Sequence, residues 1–272
     1  MGRLADRVAI VTGGGDGIGR GIARRFARDG AKVLVAELDE ERGAAVAGEL
    51  RDEFGVEAGS LRTDVARKAD NEAMIAAAVD RWETVDILVN NAWGGGMLSR
   101  VEHKTDELMS HGWHVGFLGP FWAMQFAFPI MKARGRGNVI NLCSLNGVNA
   151  HMGTVEYNAA KEALRSATRT AAREWAPYGI VLNIICPAAK SAAFHRVMAE
   201  HPELIAAADA ANPMGRVGDP EDDIAPVAAF LAGDDARYLT GNTLFVDGGS
   251  HINGSAWAPE LPDEPPTAGE GT

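Results

Sequence analysis

Apolar positions along the chain alternate between two rhythms. "RVAIVTGG" (7–14) is a short β-branched run that ends in glycines, the pattern of a buried strand and its exit turn. In "IGRGIARRFARDG" (18–30) the apolar positions Ile18, Ile22, Ala23, Phe26 and Ala27 recur at helical spacing, and Gly30 stops the run. The rhythm then repeats. Strands are expected at 31–38, 57–65, 85–92, 137–144, 179–187 and 242–249, and helices at 39–55, 70–83, 108–133, 155–176 and 220–232. Strands alternating with helices of this length predict βαβ units: an α/β, doubly wound Rossmann-type parallel sheet with helices on both faces.

Two segments depart from the alternation. Residues 188–216 form a long irregular or short-helical insert just after a strand end, where open α/β sheets keep their ligands. The tail 254–272 is rich in Pro, Gly and acid and cannot build a core of its own. It is either a disordered end or, through Trp257 and Leu261, anchored to the body or a neighbouring subunit. The expected organisation is one catalytic domain over 1–253, including the insert, followed by that tail.

Composition narrows the function. The 272 residues carry a formal charge of −11, which disfavours nucleic acid and anionic membrane as partners. The most apolar stretch, "FWAMQFAFPIM" (121–131), is far shorter than the roughly 20 residues that span a bilayer. The opening "MGRLADRVAIVTGGG" runs into strand-like sequence without the apolar region of a secretory signal, so a cytoplasmic protein is expected. Cys143 and Cys186 are the two cysteines. Neither a disulfide nor a metal site is expected from them.

Chemistry concentrates at strand ends. Gly13, Gly17 and Gly19 sit between a strand and a helix, with Asp16 and Ile18 among them. Glycines there permit a tight turn and close backbone approach, so that helix N–H groups can receive a pyrophosphate; a plain turn is the alternative. Glu37 ends the next strand, followed by Leu38 and Asp39. A carboxylate at that place accepts hydrogen bonds from both hydroxyls of an adenosine ribose and repels a 2′-phosphate. Arg20 and Arg42, the nearest cations, are read as lying on solvated helix faces. NAD is therefore the expected cofactor. Further along, Tyr157 and Lys161 in "YNAAK" stand one helical turn apart and share a face.

Several motifs in order resemble the classical short-chain dehydrogenases/reductases over roughly residues 5–252: "TGGGDGIG" (12–19), "DV" (64–65), "NNA" (90–92), "NLCS" (141–144), "YNAAK" (157–161), "NIICP" (183–187) and "TGNTLFVDGG" (240–249). The resemblance implies reversible oxidation of an alcohol with a dinucleotide. By it, Ser144 hydrogen-bonds the substrate oxygen, Tyr157 exchanges the proton, and Lys161 binds the nicotinamide ribose and lowers the tyrosine pKa. Asp64 and Val65 fall beside the adenine, Asn90, Asn91 and Ala92 on the cofactor side of the next strand end, and Ile185 and Pro187 near the nicotinamide. The phenol chemistry agrees: a free phenol, with a pKa near about 10, is a poor base at neutral pH until a nearby ammonium stabilises its anion.

The pattern also breaks. Relatives carry an asparagine within a segment like "VNxxGxF", where it helps hold a helix open and anchors a water leading protons to the lysine. Here "VGFLGPF" (115–121) puts Gly116 at that place. His114, Asn146, Asn149 and His151 are candidate replacements, with an exposed loop histidine the alternative for His151. Trp93 follows "NNA" where a glycine is usual, and either lines the substrate pocket or packs against the 97–105 loop. In the insert, expected to be a substrate lid, Phe194, Val197, Met198, Leu204 and Met214 supply apolar lining. A moderately large, mostly apolar alcohol or ketone, cyclic or aromatic, suits it. The expected protein is an NAD-dependent alcohol dehydrogenase and, by the resemblance, a homotetramer. Alternatives are an NADH-dependent carbonyl or other double-bond reductase, or a catalytically weak NAD-binding protein.

Overall fold

The computed structural model describes residues 2–191, 194 and 203–252. Seven strands, β1 (Val8–Thr12), β2 (Lys32–Glu37), β3 (Ala58–Arg62), β4 (Ile87–Asn90), β5 (Gly137–Leu142), β6 (Ile180–Pro187) and β7 (Thr243–Val246), form one sheet in the order β3-β2-β1-β4-β5-β6-β7. Each neighbouring pair is parallel. Helices α1 (Gly17–Arg28), α2 (Glu40–Phe54), α3 (Lys68–Trp82), α4 (Asp106–Trp113), α5 (Gly119–Arg134), α6 (Leu145–Val148), α7 (Val155–Trp175), α8 (Glu203–Ala210) and α9 (Ala225–Ala232) connect them. The order reverses between β1 and β4. The exits of those two strands therefore diverge to opposite sides and leave a crevice between them, the place where open α/β sheets bind ligands.

Alternating side chains on each strand feed two cores. Ala9 and Val11 point into one with Ile22, Phe26, Leu50 and Ala228, from α1, α2 and α9. Val8 and Ile10 point into the other with Met74, Met124 and Leu164, from α3, α5 and α7. This is the two-residue period of a strand covered on both faces. Roughly 25 cal/mol per Å2 of buried apolar area stabilises each layer, and the sheet's C-terminal edge is thereby held as a firm platform.

One long element departs from expectation. The apolar run at 108–133 is two helices, α4 and α5, joined by a wide π-helical turn, His114–Leu118. Glycines explain the break. A Cβ on Gly112 would meet Glu156 Cβ at 3.0 Å, and one on Gly119 would meet the Val65 carbonyl at 2.4 Å, so both positions lie where other elements press on the helix. Helical periodicity cannot distinguish this turn from a regular one, because the apolar positions run on through it without a break in the sequence. The span 220–232 likewise opens with a wide turn, Pro220–Ile224, capped by Asp219. The tail 254–272 lies outside the described residues.

Candidate functional site

The glycine loop between β1 and α1 is shaped by contacts no side chain would tolerate. Gly13 has φ +61°, and a Cβ there would lie 2.9 Å from Ala92 Cα. A Cβ on Gly19 would lie 2.1 Å from the Gly13 carbonyl oxygen. Gly17, with φ +52°, opens α1, and Asp16 caps it by accepting from Gly17 N at 2.7 Å. Ile18 packs against the core. Thr12 Oγ1 accepts from the Asn91 and Ala92 amides at 3.0 and 3.1 Å, while Asn91 Nδ2 donates to the carbonyls of Thr12 and Gly13. Asn91 and Ala92 thus bind the exit of β4 to the loop. The resulting concavity, open at a helix N-terminus, fits a pyrophosphate.

Glu37 closes one side of it. Its carboxylate accepts from Gly15 N at 3.0 Å and from Leu38 N at 2.9 Å. Leu38 is exposed. Arg42 stands at the rim, its guanidinium 3.1 Å from Asp39 and 3.9 Å from Asp16, and Arg20 is held by Glu49. Next along the edge, Thr63 N donates to the Glu37 carbonyl, and Asp64 Oδ1 accepts from Ala66 N. Val65 is buried, and its carbonyl accepts from Asn71 Nδ2 at 2.8 Å. Asn90 lies deeper: its amide donates to Asn141 Oδ1 at 2.8 Å, and Asn141 donates to Thr168 Oγ1 at 2.7 Å. It braces the sheet edge from beneath.

Across the crevice, Ser144 ends the turn after β5 and caps α6 by accepting from Asn146 N at 3.1 Å. Burial pushes the Tyr157 phenol up to about 12, an effect that the neighbouring Ser144 side chain partly offsets. Lys161 is 2% exposed. Its Nζ donates to the Leu142 carbonyl at 2.8 Å, and burial lowers its pKa. Ser144 and Lys161 are buried and Tyr157 is half-buried, with Lys161 Nζ 5.7 Å from the centre of the tyrosine ring. Ile185 is fully buried beneath them, whereas Pro187, half-buried, pairs with Val246 at the edge.

Trp93, half-buried, meets Tyr157 edge-on with ring centroids 4.5 Å apart. The loop after it is tied to α7. Glu156 Oε1 accepts from Met97 N at 3.2 Å, Lys104 Nζ donates to the Gly153 carbonyl at 2.9 Å, and the two side chains form an ion pair of 2.6 Å. Sequence reasoning missed Thr12, Lys104 and Glu156. Thr12 opens the glycine motif, but the other two carry no local signal, since their partnership exists only across the fold.

The other candidates lie elsewhere. His151 is exposed and pairs through Nδ1 with Thr154 Oγ1 at 3.2 Å. His114 turns back to the Ser110 carbonyl at 2.7 Å. Phe194 is half-buried, its amide donating to Ser191 Oγ, and Met214 is exposed. Val197 and Met198 lie outside the described residues, as does the side chain of Leu204. Cys143 and Cys186 are free and buried, and no cluster able to hold a metal occurs among the described residues. No described helix is long and apolar enough to cross a membrane.

An open parallel sheet with a glycine turn at its switch point is the architecture of nucleotide-binding α/β proteins. Comparison with known proteins narrows that class. A family model described as enoyl-(acyl carrier protein) reductase matches residues 13–251. The 12alpha-hydroxysteroid dehydrogenase of Clostridium sp. is 33% identical over 92% of this chain and 98% of its own. The 2,5-dichloro-2,5-cyclohexadiene-1,4-diol dehydrogenase LinX of Sphingobium indicum is 35% identical over 91% and 97%. A crystal structure of levodione reductase superposes with a TM-score of 0.87 at 30% identity, covering 92% of this chain and 99% of that one. The chain belongs to the short-chain dehydrogenase/reductase family, whose members here are oxidoreductases acting on alcohols and ketones with nicotinamide cofactors.

Proposed function

We propose that the protein is an NAD-dependent dehydrogenase interconverting a secondary alcohol and a ketone. The observation that carries this is the convergence of Ser144, Tyr157 and Lys161, with Ser144 and Lys161 buried and Lys161 Nζ 5.7 Å from the centre of the phenol ring. In oxidation Ser144 donates to the substrate oxygen and fixes its place, and Tyr157, as phenolate, takes the hydroxyl proton. Lys161, anchored on the Leu142 carbonyl, sets its amine near the ring and, with the positive charge of an oxidised nicotinamide, would offset the burial that raises the phenol. In reduction the proton returns from Tyr157.

A bound nicotinamide supplies the hydride chemistry. Gly13, Gly17 and Gly19 would hold its pyrophosphate, Glu37 its adenosine ribose, Asp64 and Val65 its adenine, and Asn91, Ala92 and Pro187 the approach to its ring. NAD rather than NADP is supported by the Glu37 carboxylate at the centre of that side and by Arg42 being engaged with Asp39 and Asp16.

The substrate is read as apolar and cyclic or aromatic. Met97, Leu98 and Met152 are exposed apolar side chains on the loops beside Trp93 and Tyr157, and two relatives are named for a steroid alcohol and a cyclohexadiene diol. Residues 188–216 serve as lid within a single catalytic domain over 1–253. We read the protein as cytoplasmic and homotetrameric, the latter checked by sedimentation. The central test is Tyr157→Phe assayed with NAD and a panel of cyclic alcohols. NAD binding is retained and turnover falls at least about a hundredfold, in line with loss of general acid–base catalysis. Unchanged turnover would refute the mechanism.

A further inference from the structure

Gly116 leaves no room for the asparagine expected there, because the space is taken from outside its own helix. A Cβ built on Gly116 would lie 2.8 Å from Ala160 Cβ and 2.9 Å from Trp93 Cζ3. Ala160 is rooted on α7 and an indole does not bend, so neither neighbour can give way cheaply. The Trp93 ring and a side chain at 116 exclude one another.

The ring that fills the space also touches the chemistry. Its plane stands 66° from that of Tyr157 at a centroid separation of 4.5 Å, and Lys161 Nζ lies 5.8 Å from its centroid. Its far edge reaches the loop: a Cβ on Gly96 would meet Trp93 Cζ2 at 3.4 Å and Glu156 Oε1 at 3.5 Å.

We propose that Trp93 is a positioning residue for the Tyr157–Lys161 pair, an indole wedge that replaces the missing asparagine side chain, fixes the tilt of the phenol and keeps water from its inner side. The two departures from the family pattern are one exchange: bulk lost at 116 is supplied at 93. The inference rests on the dehydrogenase reading only for what Tyr157 does, not for what Trp93 does to it.

The groups surrounding that phenol come from several elements. Lys161 is on its own helix, Ser144 and Cys143 follow β5, and Cys186 is on β6. The Lys104–Glu156 pair stands behind the loop, and His111 of α4 bonds the Gly94 carbonyl at 2.9 Å. None of these groups is itself substituted in the Trp93 variants, so the Tyr157 titration reads what the indole does to its surroundings.

The test uses Trp93→Ala, Gly116→Asn, the double variant, and Trp93→Leu in case the alanine variant does not fold. Tyr157 ionisation is followed by NMR of ring-labelled tyrosine, assigned with Tyr157→Phe, and stability by thermal unfolding. In Trp93→Ala or Trp93→Leu, Tyr157 ionises about one pH unit lower than in the wild type, because water reaches the phenol. Gly116→Asn alone is strongly destabilised, and shortening Trp93 in the same chain recovers part of that loss, a non-additive cycle. An unmoved Tyr157 titration in a folded Trp93 variant, or strictly additive effects, would overturn the proposal. A wild type without turnover would sink the dehydrogenase reading and leave this result standing.

Discussion

Lys104 Nζ lies 2.6 Å from Glu156 Oε2, with the two side chains 2% and 1% exposed. Glu156 immediately precedes Tyr157, and Lys104 closes the loop that starts at Trp93. The pair therefore bolts the Gly94–Gly96 stretch to the helix that carries the phenol. Removing one partner leaves a buried charge unpaired. Glu156→Ala or Lys104→Ala should each cost about 3–5 kcal/mol, read by denaturant unfolding. The double variant Lys104→Met with Glu156→Leu should cost less than either single change. A loss below about 1 kcal/mol for the singles would mean that water reaches the pair.

Gly19 and Gly94 make a controlled comparison. A Cβ on Gly19 would collide with the Gly13 carbonyl at 2.1 Å, whereas one on Gly94 would meet nothing within 4 Å. Gly19→Ala should weaken dinucleotide binding by at least about tenfold, some 1.4 kcal/mol, by distorting the cradle. Gly94→Ala should leave it unchanged. Fluorescence titration with NAD distinguishes them, and equal affinities would remove the cradle from the binding site.

Glu37 should set the nucleotide preference. The wild type is expected to bind NAD more tightly than NADP, and Glu37→Ala to narrow the gap about tenfold, since the carboxylate no longer repels a 2′-phosphate. Calorimetric titration of both nucleotides tests it. Tighter binding of NADP by the wild type would contradict the role given to this carboxylate.

Alkaline stability should depend on the two thiols. Burial pushes Cys143 and Cys186 from 9.0 up to about 12 each. In the unfolded chain they lose their protons near the ordinary value, while the folded chain retains them. The unfolded state therefore binds fewer protons between about pH 9 and 12, and stability falls as pH rises through that window, by up to about 1.4 kcal/mol per pH unit for each thiol. Cys143→Ala with Cys186→Ala should flatten the limb in a melting series, at some cost in packing at neutral pH. An unchanged slope would assign the alkaline limb to other groups.

Much of this protein was legible before folding was considered. The strand at Val8–Thr12 and the helix from Gly17 are written in local periods of two and 3.6, which depend only on neighbours a few residues apart. The glycine turn and the Tyr157–Lys161 face are local in the same sense. What lies around 114–118 was not. Apolar residues read the same in a regular helix and in a wide turn, so the break between α4 and α5 left no trace in the pattern.

Sequence alone determined the alternating strands and helices, the glycine turn and the shared face of Tyr157 and Lys161, because each is carried by residues close along the chain. Tertiary structure alone decided that Trp93 fills the room Gly116 leaves, and that Lys104 meets Glu156. Those are contacts between elements that only the closed sheet brings together. Their physical content is excluded volume and a desolvated charge pair, and neither exists until the chain has packed.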